Sequence, residues 1–88
     1  MEASPDSPKL VERVQTGVRI EKSLLKVLKA VAELNDLSLG DLLEGIVLHA
    51  FEGKVAFSDA SLEKIREFSK LYGMTLNAAD SHKLEERR

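Results

Sequence analysis

Residues 14–20 read Val-Gln-Thr-Gly-Val-Arg-Ile, and residues 21–35 continue Glu-Lys-Ser-Leu-Leu-Lys-Val-Leu-Lys-Ala-Val-Ala-Glu-Leu-Asn. The period of the apolar residues changes at this junction. In the first stretch Val14, Thr16, Val18 and Ile20 fall on one side and Gln15, Gly17 and Arg19 on the other. Alternation with β-branched residues on one face predicts a short strand. Gly17 weakens that strand, because glycine packs nothing and costs backbone entropy. In the second stretch Leu24, Leu28, Val31 and Leu34 form an apolar stripe, widened by Leu25, Val27 and Ala32, opposite Lys22, Lys26, Lys29 and Glu33. That spacing predicts an amphipathic helix. Asn35 and Asp36, which tolerate turn and left-handed geometry, stop it.

Further on, Ser38 is a good N-cap for a second helix reaching about Phe51, with Asp41 placed to favour the positive end of the dipole. Leu39, Leu42, Leu43, Ile46, Val47, Leu48, Ala50 and Phe51 cover most of its circumference, so this helix needs burial on several sides. Gly53 ends it. Ser58 caps a third helix over 59–72, with Leu62, Ile65, Phe68, Ser69 and Tyr72 inward and Gly73 closing it. Thr75 caps a final short helix over 76–84. Residues 1–12 read as a disordered arm, 13–53 as the central domain and 54–88 as a helical extension.

Composition bounds the function. The 88 residues contain no cysteine, which excludes disulfides and thiolate metal sites. His49 and His82 have no partners at ligand spacing, and no metal or other cofactor is expected. No apolar run approaches the roughly 20 residues of a membrane helix, and the first residues do not resemble a signal peptide, so the location expected is cytoplasmic. There is no nucleophile–base pair, glycine-rich phosphate loop or Walker motif, and Asp36, Asp41 and Glu44 make no convincing acid/base pair, so no enzyme is expected. The net charge of −2 is unevenly spread: +3 over 9–35, −5 over 36–63 and +2 over 64–88. A basic face is thus available on an acidic protein.

A lone strand has no partner for its backbone groups, and one amphipathic helix cannot cover the second helix. Pairing of two copies answers both needs, and closed symmetric dimers are the commonest oligomers. Residues 15–51 also resemble the ribbon-helix-helix family, through Gln15 and Arg19 in the strand, Val-Ala-Glu at 31–33, Asn35, Ser38 at the second helix start and Phe51 near its end. The resemblance implies a mostly α fold with one short β-strand per chain: an intertwined ribbon-helix-helix homodimer, here with one or two added C-terminal helices. It implies a sequence-specific transcriptional regulator whose antiparallel ribbon lies in the major groove of double-stranded DNA.

On that resemblance Gln15, Gly17 and Arg19 face the bases. Arginine suits guanine and glutamine suits adenine. Gly17 departs from the polar residue usual in the family and leaves two readers per strand. Ser38, Leu39 and Gly40 begin the second helix, where free N–H groups hold a phosphate. Arg13 and Lys22, with Lys9 as a further candidate, add phosphate contacts that position without reading sequence. Lys26 and Lys29 read as a solvated helix face. The competing reading is a protein-interaction module or antitoxin that uses this fold to dimerise and residues 54–88 to bind a protein partner.

Overall fold

In the computed structural model, which describes residues 8–87, helix α1 spans Lys22–Leu34. Its first turn is capped from outside by Glu21. That carboxylate accepts from the backbone N–H of Ser23 (3.0 Å) and Leu24 (2.9 Å) and from the Ser23 hydroxyl. These donors, the hydroxyl first, hold the Glu21 carboxyl below the usual glutamate range. Helix α2 spans Leu39–Phe51 and α3 spans Asp59–Tyr72. Ser38 and Ser58 cap them through their hydroxyls, each accepting from the N–H three residues on, at 3.1 and 3.2 Å.

All three helices stop in the same way. A residue one or two positions past the helix takes a left-handed conformation: Asp36 (φ 54°), Gly53 (φ 70°) and Gly73 (φ 67°). The next N–H then returns to a carbonyl five residues back: Leu37 to Ala32 (2.9 Å), Lys54 to His49 (2.8 Å) and Met74 to Ser69 (2.8 Å). This satisfies carbonyls the helix leaves unpaired. Glycine supplies the positive φ at two of these stops without a Cβ penalty, and Asp36 does so as one of the few other residues that visit the region readily.

Helix α1 is central and packs on both α3 and α2. The buried core side chains are Val27, Val31, Ala32 and Leu42, with Leu28, Ile46, Phe57, Ile65, Phe68 and Met74 packed partly buried around them. The deepest face of α1 is therefore set by Val27 and Val31, one turn apart, while Leu34 at the edge of the expected stripe is half exposed. On α2 only Leu42 is buried. Val47, Leu48 and Phe51 stand 43%, 63% and 84% exposed, so most of its apolar circumference is uncovered.

Two expectations are corrected. The strand over 14–20 is not formed, and the fold is not a ribbon-helix-helix: among the described residues there are three α-helices, a 3-10 turn and no strand. Residues 9–20 are extended but make no backbone hydrogen bond to another segment. A period-two pattern only prepares a face; a ladder also needs a second paired segment, and the described residues supply none. The final helix over 76–84 is replaced by a 3-10 turn, Ala78–Asp80, capped by Asn77 rather than Thr75. Asn77 Oδ1 accepts from Ala79 N–H and Asp80 Oδ2 accepts from Asn77 N–H, both at 2.9 Å. His82 then turns left-handed (φ 65°), which forbids continuation as a helix. Of the expected disordered arm, residues 1–7 lie outside the described residues. No helix among the described residues is long and apolar enough to cross a membrane.

Candidate nucleic-acid interface

The extended arm, residues 9–20, runs past the start of α2 because Arg13 ties it there. The Arg13 guanidinium meets Glu44 as a fork, Nε to Oε2 and Nη2 to Oε1, each 2.9 Å. Nη2 also donates to Asp41 at 3.4 Å. Asp41 and Glu44 are one helical turn apart on α2, so they present both carboxylates to a single arginine. The hydrogen bond to Glu44 and the adjacent charge raise the Arg13 pKa above its already high value. The same bond holds the Glu44 carboxyl below the ordinary glutamate range.

The expected contact residues fall into two groups around this arm. Arg13, Ser38 and Gly40 line one groove of about 570 Å³, together with Asp41 and Glu44. Ser38 Oγ is engaged as the cap on Asp41 N–H, and Leu39 and Gly40 are the first two residues of α2. Two carboxylates beside this helix start oppose a phosphate there, and Arg13 is the cation that offsets them. Arg19 and Lys22 line a different groove of about 720 Å³, walled on its far side by residues 84–87. Arg19 Nε and Nη2 both reach Glu86 Oε1, at 2.8 and 2.6 Å. Gln15 and Gly17 lie on the arm between the two groups and are exposed.

Lys9 sits at the mouth of a third groove of about 620 Å³, whose walls include Val11 from the arm and Leu43, Val47 and Leu48 from α2. Lys26 is not a purely solvated charge: its ammonium lies 5.9 Å from the Tyr72 ring centroid, over the aromatic face. His49 Nδ1 lies 2.7 Å from the Gly45 carbonyl oxygen within α2, and among the described residues no cluster of three or more His, Cys, Asp or Glu side chains could hold a metal.

Sequence reasoning missed Glu44 and Glu86 as the partners of the two arm arginines. These pairs join residues 31 and 67 apart in sequence, and only the path of the arm and the reversal at His82 bring them together. The Arg13–Glu44 fork has a testable pH dependence. The Glu44 pKa is lowered in the folded chain, so the anchor is intact above the ordinary carboxylate value of 4.5 and is lost as pH falls through the lowered one. Backbone ¹⁵N relaxation over residues 10–16 is expected to show a more mobile arm at about pH 3 than at about pH 7, and Glu44→Gln is expected to show the same mobility at about pH 7. No protein-family model, curated protein or solved structure matches the chain, so the residues themselves carry the functional reading.

Proposed function

We propose that the protein is a cytoplasmic, homodimeric regulator that binds double-stranded DNA through its extended arm and the start of α2. The observation that carries this reading is the two-sided arm. Gln15 and Arg19 alternate along the arm with Val14 and Val18; all four are exposed, the valines 84% and 73%. The apolar side needs cover, and the polar side offers hydrogen-bond groups of the kind that read base edges.

Self-association follows from the surface. Among the described residues Leu10, Val14, Val18, Leu48 and Phe51 are large apolar side chains left in solvent. Phe51, Leu48 and Val47 on α2 lie on the same element that walls the apolar groove beside the arm. Two copies meeting there would bury a patch of the kind monomers rarely expose.

In such a dimer each arm would present one glutamine and one arginine to the major groove. Lys22, Arg13 and the free N–H groups at Ser38, Leu39 and Gly40 would take backbone phosphates. Arg19→Ala is expected to weaken binding to the preferred duplex by about 1–3 kcal/mol, a factor of about 5 to 150, while sedimentation shows an unchanged dimer. The preferred duplex comes from selection in a random pool. If the variant and parent bind every sequence alike, the arm is not the reader.

A second reading, a protein-interaction module, draws on one specific feature: Arg13 and Arg19 already rest on carboxylates of their own chain. Exposed apolar groups at Val55 and Leu71 give residues 54–88 a surface for a protein partner. Failure to bind mixed duplexes even at low salt would favour that reading over DNA binding.

A further inference from the structure

We propose that Glu86 is an internal competitor for DNA: its carboxylate occupies the Arg19 guanidinium and must leave it before that arginine reaches a base. This rests on the reading of Arg19 as a DNA-contacting residue. The geometry is specific about which carboxylate is placed there. Both Arg19 Nε and Nη2 converge on Glu86 Oε1, whereas Glu85 lines the same groove without such a bond.

The approach of the tail is built rather than incidental. Met74 packs against the core, fixing the chain just after α3. The Asn77–Asp80 box then closes one tight turn, and Lys83 N–H donates to the Asp80 carbonyl at 3.0 Å. Between them His82 adopts φ 65°, reversing the chain toward the arm. Residues 84–86 consequently wall the groove opposite Arg19, Ile20 and Lys22. A carboxylate held in this way acts at a high effective concentration, without any diffusional search.

The contact is exposed, with side chains 83% and 66% accessible, so its strength is modest and salt-sensitive. A modest pair suits a competitor that must yield to DNA. Removing it should raise affinity by about 2- to 5-fold at low ionic strength, the range set by exposed ion pairs.

The test uses the full chain and duplexes selected for the parent. Glu86→Gln is expected to bind about 2- to 5-fold more tightly than the parent. Glu85→Gln, with the same change in net charge, is expected to gain less. In an Arg19→Ala background the Glu86→Gln gain should vanish. His82→Pro, which cannot take the left-handed reversal, should reproduce the Glu86→Gln gain. The Arg19 Nε–H resonance should also move in Glu86→Gln without DNA present.

Equal gains from both glutamate variants, or a gain that persists without Arg19, would overturn the competitor and leave DNA binding standing. An Arg19 Nε–H signal identical in parent and Glu86→Gln would overturn it whatever the DNA result. Absence of binding by parent and variants alike would remove the DNA reading and the competitor together.

Discussion

In the proposed dimer, Phe51→Lys is expected to leave the chain monomeric at micromolar concentration. Phe51 is 84% exposed in the single chain, next to Leu48 at 63%, so within one protomer the ring contributes little. Across a two-fold interface every substitution occurs twice. Losing the burial of two phenylalanine rings costs about 3–6 kcal/mol, which corresponds to at least a 100-fold weaker dimer, roughly. Two lysine charges facing each other add to that. Sedimentation equilibrium over a range of concentrations reads the change directly. A parent chain that sediments as a monomer throughout would remove the premise.

Leu42→Ala is expected to destabilise the chain by about 2–5 kcal/mol, measured as a lower denaturation midpoint with an unchanged slope. Leu42 is 6% exposed and is the one α2 residue buried in the core with Val27, Val31 and Ala32. A chain of this length has a total stability of about 4–13 kcal/mol. The substitution therefore removes a large share of it, because a four-residue core cannot collapse far around a cavity. Leu48→Ala, at a 63% exposed position, should instead act mainly through association, so its effect should depend on protein concentration. Equal effects from the two substitutions at all concentrations would show that the apolar face of α2 is not an interface.

What the sequence revealed of this fold was its local part. Ser38 and Ser58 announce two helices because a cap acts over three residues, and Asp36, Gly53 and Gly73 announce the stops for the same reason. The helix expected from the Ser38 cap to about residue 51 and the one expected over 59–72 accordingly appear at Leu39–Phe51 and Asp59–Tyr72. The strand expected over 14–20 depended on a neighbour, which no amount of alternation within the segment can provide. The final helix failed at a competition between side chain and backbone. Asn77 and Asp80 hydrogen-bond each other's main chain in a tight turn, an alternative the apolar spacing of 76–84 does not register. The candidate interface was half legible. Alternation singled out Gln15 and Arg19 as candidates, and both lie exposed on the arm. Their carboxylate surroundings were hidden, since a charge pair 67 residues apart leaves no periodic trace.

The shared manner in which the three helices end has a kinetic consequence. Each of the three helix exits is specified by a bond from Leu37, Lys54 or Met74 to a carbonyl five positions earlier. Nothing distant has to arrive before the chain changes direction, and proteins dominated by such near-neighbour pairings acquire their shape in microseconds to milliseconds. Encounter of two copies is far slower at cellular abundance. How soon a newly made chain becomes competent would then be governed by how many siblings surround it, and co-synthesis from one message would shorten the wait.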